Sequence, residues 1–339
     1  MWPMQENPPP QRTAGKSKAS SVRLAAAGNW AARQLELETV NLVPVSTDAS
    51  NRRYFRIQTH AGPLILMDAP PALENSAPFV EIAGRLRNAG LHAPNILHFD
   101  LQQGFGLLED LGEELYRQHL RPDTADQLLP GLFRVLSHMA LAVDDSGLPR
   151  YDDQCLQAEL DLFTDWYLAR HRKRPLAAGE RDIWNQLCAT LKESAAEQPQ
   201  VFVHRDFHSC NLVYLHGEAP GLIDFQDAVR GPITYDFISL LWDRYIAWPR
   251  NRLESWMETY RVMLGLDIRP EKWRRWCDLM GLQRNLKIVG IFARLHYRDD
   301  KQGYLEMIPR FYQYLLDVVP RYPEFSNFQR LLEQTECAP

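Results

Sequence analysis

Several features by which large protein classes are recognised are missing from this sequence. No apolar run comes near the roughly 20 residues needed to cross a bilayer, and the polar, proline-rich beginning lacks the apolar core of a signal peptide. The five cysteines contain no Cys-x-x-Cys pair, so neither a disulfide framework nor a zinc site is indicated. Basic residues are not in excess, because 38 Lys and Arg face 43 Asp and Glu, whereas a nucleic-acid binder normally carries a basic face. We therefore expect a cytoplasmic protein with neither a membrane nor a nucleic acid as partner, and nothing indicates an obligate protein partner.

The composition is that of a globular protein that buries a large core. With 339 residues, of which 45% are hydrophobic and 24% charged, the chain is long enough for two lobes or domains. Residues 1–28 are polar and contain Pro8-Pro9-Pro10, which predicts a disordered extension. Gly15-Lys16-Ser17 within this extension is not a P-loop, because the upstream glycine and the preceding strand that a P-loop needs are absent.

The motif His204-x-Asp206-x-x-x-x-Asn211 predicts the chemistry of the chain. It follows an apolar run, and Asp224 lies eighteen residues beyond Asp206, after a predicted hairpin. Phosphoryl transfer needs one carboxylate to accept a hydroxyl proton and further oxygen ligands to hold magnesium. The pattern therefore predicts a phosphotransferase in which Asp206 is the base and Asn211 and Asp224 hold Mg²⁺. The alternative is a buried His-Asp pair that only caps a loop.

Two parts of the chain differ in their predicted secondary structure. Residues 29–110 predict a helix at 79–89 and short strands at 42–45, 54–58, 63–67, 95–99 and 106–108. Residues 111–339 are mostly helix-forming, with amphipathic stretches at 124–142, 158–169, 181–194, 237–246, 253–264, 271–296 and 304–318. This order predicts an α/β (α+β), two-lobed fold like that of the protein kinases, with a small nucleotide-binding N-lobe at 29–110 and a large helical C-lobe at 111–339. Glu109-Asp110-Leu111-Gly112 would be the hinge that meets adenine, with Glu109 and Leu111 as contacts.

Longer motifs carry a resemblance to a known family. They are Asp48 to Arg56, Leu66-Met67-Asp68-Ala69-Pro70, His204 to Asn211 and Arg284-Asn285-Leu286-Lys287. The chain resembles the aminoglycoside and choline kinase-like phosphotransferases, and within them it is most similar to bacterial kinases that phosphorylate N-acetylmuramic acid and N-acetylglucosamine at C1 in cell-wall recycling. The resemblance implies an ATP- and Mg²⁺-dependent sugar 1-kinase of peptidoglycan recycling, with the same three roles for Asp206, Asn211 and Asp224.

The predicted N-lobe lacks the lysine that kinases place on their third strand to hold the α- and β-phosphates. No lysine occurs between Lys18 and Lys173, and the turn that would cover the phosphates, residues 46–51, has no glycine. Guanidinium groups also bind phosphate well. The candidate nucleotide contacts are therefore Arg52, Arg53 and Arg56, with Glu81 as an ion-pair partner and Ser50 and Asn51 from the turn. The alternative is a pseudokinase whose arginines are solvated at a strand edge.

Acceptor recognition is expected from C-lobe residues near Asp206. Side chains that offer hydrogen bonds, an aromatic face or a cation for a carboxylate are His208, Asp243, Arg244, Trp248, Asn285, Lys287, Arg294 and Arg298. For each alone, a structural ion pair or an exposed helix charge is the alternative. The cations favour an anionic acceptor, whereas an aminoglycoside or amino-alcohol kinase, the other phosphotransferase to consider, would favour a carboxylate-lined pocket. Phe292 and Leu295 are interpreted as core, and His204 and Asp236 as supports of the catalytic loop.

Overall fold

The computed structural model describes residues 14–46 and 51–336, which form two compact units. The first comprises the chain up to Ala83 with Pro94–Leu111, and the second comprises Gly84–Ala93 and the chain from Gly112 onward. The first unit ends at Leu111, one residue beyond the lobe boundary that the sequence predicts between residues 110 and 111. The segment 84–93, which was predicted in the N-lobe, groups with the second unit, where Arg85 donates a 2.7 Å hydrogen bond to the carbonyl of Asp144. None of the described helices is long and apolar enough to span a membrane.

An antiparallel sheet is the centre of the first unit. The order along the chain is α1 (Ala14–Gln34), β1 (Val43–Ser46), β2 (Arg53–Thr59), β3 (Gly62–Asp68), α2 (Ala77–Asn88), β4 (Ile96–Asp100) and β5 (Phe105–Glu109), and the strands pair in the order β1-β2-β3-β5-β4. Helix α2 begins in the first unit and ends in the second. The five strands and α2 match the predicted elements within two residues at each end, since strand-forming runs between turn residues are a strong local signal.

Over residues 14–28, helix α1 differs from the prediction of a disordered extension. From Ala14 onward the chain is helical, and its buried residues pack on one side of the sheet against Phe55, Ile57, Leu66, Phe105 and Leu107. The buried positions Ala27, Trp30 and Ala31 are spaced i, i+3, i+4, which marks one face of a helix. Their mostly small side chains, close to a proline tract, concealed this spacing in the sequence. Residues 1–13 lie outside the described part of the chain.

The second unit is helical apart from two short strand pairs. It contains α3 (Tyr116–His119), α4 (Ala125–Ala142), α5 (Asp153–Leu162) continued by a π-helical segment (Phe163–His171), α6 (Ala178–Ala196), β6 (Gln200–Val203), β7 (Leu212–Val213), β8 (Gly221–Leu222), β9 (Val229–Pro232), α7 (Tyr235–Leu241), α8 (Arg250–Leu264), α9 (Pro270–Tyr297), α10 (Ile308–Val318) and α11 (Ser326–Glu336). Strand β6 pairs with β9, and β7 pairs with β8, both antiparallel. Helix α7 ends five residues earlier than predicted, at Leu241 rather than 246.

Helix α9 is the scaffold of the second unit. It packs against α5, α6, α7, α8 and α10. Two glycines permit the closest approaches: a Cβ at Gly281 would lie 1.1 Å from the Trp242 ring, and a Cβ at Gly290 would lie 2.3 Å from the backbone of Leu162. Neither position accepts a larger residue without moving its neighbour, so these two glycines allow α9 to pack closely against Trp242 and Leu162.

The packing of α1 predicts that Trp30 contributes to stability. Trp30 is 4% exposed, and truncation of a buried tryptophan to alanine costs about 3–5 kcal/mol. We expect Trp30→Ala to lower the free energy of unfolding by that amount in urea or thermal denaturation. Val22→Ala, at a position of the same helix that is 67% exposed, is the control and should change little. Equal stability of the two variants would show that α1 does not pack on the sheet.

Candidate active site

The catalytic loop, residues 204–211, is held at its start by Asp236. The loop connects β6 to β7. From the first turn of α7, the Asp236 carboxylate accepts the backbone N–H of His204 at 2.6 Å and that of Arg205 at 3.0 Å. This confirms the interpretation of Asp236 as a support of the loop. Burial raises the pKa of Asp236 to about 7, although both N–H donors act in the opposite direction.

His204 is a packed scaffold residue. It is 0% exposed, and its ring meets Phe207 and Phe225 edge-on at centroid distances of 5.9 and 6.5 Å. Burial lowers the pKa of His204 to about 4, so its imidazole is neutral near pH 7. The ring fills space behind the loop, in agreement with the supporting role expected from the sequence.

Charged side chains tie Arg205 to the helices around it. Arg205 has a left-handed backbone, φ 74°, which a non-glycine residue adopts only where its surroundings hold it. Its guanidinium donates to Glu159 Oε1 at 2.9 Å, and Lys287 Nζ lies 2.8 Å from the same oxygen. We call Glu159, Arg205 and Lys287 the Glu159 cluster. The cluster links α5 and α9 to Arg205, the residue that precedes Asp206. Glu159 is 46 residues from Arg205 and 128 from Lys287, and ion pairs between residues so far apart cannot be read from a sequence pattern.

The pKa values of Glu159 and Lys287 are set by their mutual attraction and by the groups around them. Burial alone would raise the pKa of Glu159, but Lys287, Tyr151 and Arg205 favour the carboxylate, and the net pKa is lowered. Burial alone would lower the pKa of Lys287, but Tyr235 and Glu159 outweigh it, and the net pKa is raised. Both groups therefore keep their charge at neutral pH.

The three residues predicted for phosphoryl transfer lie together. The Asn211 side-chain amide donates to the backbone carbonyl of Asp206 at 3.0 Å and to Asp224 Oδ2 at 3.3 Å. Asp224 follows β8 with a left-handed backbone, φ 64°, a conformation that aspartate tolerates better than most residues. Gln226 Nε2 donates to Asp224 Oδ1 at 2.9 Å, so the carboxylate is held on both oxygens.

The donor set of Asn211 and Asp224 fits magnesium. Mg²⁺ prefers hard oxygen ligands, keeps several waters, and is commonly bound by one or two carboxylates together with substrate phosphates. No group of three or more His, Cys, Asp or Glu side chains suited to a metal occurs in the described residues. The predicted magnesium site consists of the Asp224 carboxylate, the Asn211 amide oxygen and nucleotide phosphates, so it does not require three such side chains.

A cavity of about 230 Å³ opens on Asp206 within the second unit. Its polar side is formed by Asp206, His208, Ser239, Asp243, Arg244, Arg284 and Lys287, and its apolar side by Trp242, Ile288, Ile291, Phe292, Leu295, Tyr304 and Phe311. Pockets for drug-sized ligands are usually about 300–1,000 Å³. The cavity is therefore sized for a small ligand such as a single sugar ring.

The cavity contains some of the predicted acceptor residues and not others. His208, Asp243, Arg244 and Lys287 line it, whereas Asn285, Arg294, Trp248 and Arg298 do not. Asp243 is largely occupied, because it accepts from the Ser209 hydroxyl and from the backbone N–H of Ser209 and Tyr245. Asn285 is fully buried in α9, and its amide makes no hydrogen bond to any residue that the structure describes.

One face of α9 was missed in the sequence. Arg284, Lys287, Ile288, Ile291, Phe292 and Leu295 follow helical spacing and line the cavity together. Phe292 and Leu295 were interpreted as core; Phe292 is indeed buried, at 6% exposed, and both residues also line the cavity. The spacing could have found this face once Lys287 was chosen, since residues three or four apart on a helix are neighbours.

The predicted nucleotide residues of the first unit already bind carboxylates. Arg52 lies 3.5 Å from Glu74, Arg53 pairs with Asp68, and Arg56 pairs with Asp110. The Glu74 carboxylate also accepts the backbone N–H of Asn51 at 3.2 Å. Glu81 is exposed on α2, and Ser50 lies outside the described residues.

The brace at Asp236 generates a stability prediction. Asp236→Ala would leave two N–H groups without their acceptor, at a cost of about 1–3 kcal/mol for each that is buried. We expect a matching loss in the free energy of unfolding. Asp227→Ala removes an exposed carboxylate nine residues away and should stay within about 0.5 kcal/mol of the parent protein. If denaturation finds both variants equally stable, the two hydrogen bonds do not hold the loop.

Sequence comparison finds a family and full-length relatives. The model of the phosphotransferase enzyme family matches residues 41–278. The N-acetylmuramate/N-acetylglucosamine kinase of Pseudomonas aeruginosa is 45% identical over 304 residues, which are 88% of this chain and 89% of that protein. The protein of the same description from Neisseria meningitidis is 36% identical, over 90% of this chain and 93% of that protein.

Solved structures share the fold. A choline/ethanolamine kinase family protein from Mesorhizobium loti matches with a TM-score of 0.59 at 18% identity, over 87% of this chain and 92% of that one. An ADP-bound aminoglycoside phosphotransferase matches with a TM-score of 0.58 at 14% identity, over 86% and 96%. These likenesses confirm the predicted α/β fold, with its antiparallel N-terminal sheet and helical C-terminal region. The family match and the relatives above show that this chain belongs to the phosphotransferase enzyme family of aminoglycoside and choline kinase-like proteins.

Proposed function

We propose that this protein transfers the γ-phosphoryl group of ATP to the anomeric hydroxyl of N-acetylmuramic acid and N-acetylglucosamine, as a cytoplasmic step of peptidoglycan recycling. The observation that carries the proposal is the position of Asp206 on a cavity sized for one sugar, next to the hydrogen-bonded pair Asn211 and Asp224. Relatives described as kinases of these two sugars, 36% and 45% identical over about nine tenths of the chain, support the choice of acceptor.

The chain's own groups account for the acceptor side of the reaction. An anomeric hydroxyl is more acidic than an ordinary alcohol, so an ordinary carboxylate can take its proton late in a loose transition state. The anomeric oxygen of the sugar would bond to the γ-phosphorus as the bond between that phosphorus and ADP breaks, and its proton would move to an Asp206 carboxylate oxygen. Bound Mg²⁺, held by Asn211 and Asp224, would supply positive charge to the phosphates. The cations of the cavity disfavour a cationic acceptor such as an aminoglycoside or an amino alcohol.

On the nucleotide side, Arg53 is proposed to replace the missing kinase lysine. The fully buried Asp68 pairs with two arginines: Arg53 on β2, and Arg23 on α1 at 2.7 Å. Two guanidinium groups around one carboxylate leave this trio with a net positive charge, which a phosphate could share. Arg52 and Arg56 remain further candidates, as do Ser50, Asn51, Glu81, Glu109 and Leu111 for the rest of the nucleotide.

The proposed function predicts a defined substrate range. ADP release, measured with a coupled assay, should require Mg²⁺, stop in EDTA, and occur with N-acetylmuramic acid and N-acetylglucosamine. It should not occur with their 1-O-methyl glycosides, with kanamycin or with choline, because these lack the free anomeric hydroxyl or carry the wrong charge. Asp206→Asn should lower kcat by roughly 10²–10⁴-fold, the usual contribution of a positioned base, with unchanged thermal stability.

Three results would contradict this proposal. Turnover of the methyl glycosides would place the phosphate on another hydroxyl. Turnover of kanamycin or choline in preference to the amino sugars would assign a different acceptor. Near-normal activity of Asp206→Asn would remove Asp206 from the mechanism.

The nucleotide proposal predicts that Arg53→Gln weakens ATP use. Loss of one charge-assisted contact costs roughly 1.5–3 kcal/mol, or about 10- to 150-fold in kcat/KM for ATP, while the sugar KM stays nearly constant. Asp68 would keep Arg23 as a partner, so the fold should survive. Arg33→Gln, at an exposed position near the end of α1, is the control. Unchanged ATP kinetics in Arg53→Gln would move the phosphate cation to another residue.

A further inference from the structure

Arg284 is a buried cation that the protein only partly satisfies. It is 6% exposed, on the face of α9 that lines the cavity. One terminal nitrogen donates to the Ser239 hydroxyl at 2.7 Å, and the guanidinium lies 4.9 Å from the centre of the Tyr235 ring. Its Nε is buried and has no hydrogen-bond acceptor. Within the described residues no carboxylate lies at ion-pair distance from Arg284, which is unusual for a buried charge.

The carboxylates near Arg284 are committed elsewhere. Asp236 interacts with Arg284 electrostatically, but its oxygens accept the N–H groups of the catalytic loop. Asp243, on the same cavity, accepts from Ser209 and Tyr245. Lys287, which also lines the cavity, differs from Arg284 because it has a carboxylate partner, Glu159 at 2.8 Å, which it shares with Arg205. A carboxylate or other oxygen anion of a ligand would therefore neutralise the positive charge of Arg284, which none of the described carboxylates does at ion-pair distance.

We propose that Arg284 binds the carboxylate of the acceptor and so determines the preference for N-acetylmuramic acid over N-acetylglucosamine. This inference rests on the proposed function. The two sugars differ in the lactyl ether on C3, whose carboxylate is the only negative charge on either of them. C3 is two bonds from the anomeric carbon, so a sugar that presents its anomeric hydroxyl to Asp206 keeps its carboxylate within the same small cavity. The planar fork of a guanidinium matches a carboxylate.

Arg244 is the natural comparison within the cavity. It also lines the cavity, but it is only partly buried and lies 5.3 Å from the centre of the Tyr245 ring, on the segment between α7 and α8. Water can solvate the partly exposed guanidinium of Arg244, so the free-energy penalty of leaving its charge unpaired is smaller than for Arg284. The larger effect on carboxylate recognition is therefore assigned to Arg284.

The test is the ratio of kcat/KM for N-acetylmuramic acid to kcat/KM for N-acetylglucosamine. Arg284→Gln should lower this ratio about 10-fold or more, mainly through the KM for N-acetylmuramic acid, and Arg284→Lys should restore part of it. Arg244→Gln should change the ratio less. Arg274→Gln, at an exposed position of the same helix, should leave the ratio unchanged. A ratio within twofold of the parent in both Arg284 variants, or a larger change in Arg244→Gln, would overturn the inference.

A second measurement changes the charge of the substrate. The methyl ester of N-acetylmuramic acid keeps the lactyl group and removes its charge. With the unaltered protein it should lose about 10-fold or more in kcat/KM relative to the free acid, and Arg284→Gln should treat ester and acid nearly alike. Equal use of ester and acid by the unaltered protein would refute carboxylate recognition. If that protein phosphorylates neither sugar, the proposed function itself fails, which is a distinct outcome.

Discussion

The pair of hydrogen bonds from the backbone of His204 and Arg205 to Asp236 is the constraint on which the site depends. It fixes the chain where β6 ends and the loop turns, and it makes the left-handed backbone of Arg205 a stable conformation rather than a strained exception. Asp206 is the next residue, so its direction is set by this turn. Asn211 then binds the carbonyl of Asp206 from the far end of the loop. Asp206, the proposed catalytic base, is therefore held through the backbone on both sides, which leaves its side chain available to a substrate.

The buried charged side chains around this loop differ in whether the protein gives them a partner, and this difference indicates where a ligand binds. The Glu159 cluster pairs one carboxylate with two cations, and its interactions raise the pKa values of Arg205 and Lys287, so both stay charged. Asp236 is satisfied by N–H groups, and Asp243 by Ser209 and Tyr245. Arg284 is left with a hydroxyl, an aromatic face and the cavity. Since an uncompensated buried charge is costly, the place where the protein tolerates one is where an anion is expected to bind.

Elements and motifs formed by residues close together in the chain could be predicted from the sequence, whereas contacts between residues far apart in the chain could not. The strands of the first unit and the spacing of Asp206, Asn211 and Asp224 are local patterns, and both led to correct contacts in the structure. Helix α1 was misjudged because its buried face is built mainly of alanine, which carries little hydrophobic signal. The ion pair of Arg205 with Glu159 joins residues 46 positions apart, and no one-dimensional pattern reveals such a pair. The face of α9 that lines the cavity is an intermediate case. Its helical spacing is visible in the sequence, but the spacing does not show whether the face packs in the core or lines a cavity, because that depends on the neighbouring helices.

If the loop presents Asp206 to an anomeric hydroxyl, the phosphate of the product is bonded to C1. ³¹P and ¹H NMR of the product formed from N-acetylmuramic acid and ATP should show phosphorus coupled to the anomeric proton, with C1 as the phosphorylated carbon. Coupling to the protons of C6 or C4 instead would mean that the cavity holds the sugar in another orientation, and the assignment of Asp206 to the anomeric hydroxyl would be wrong.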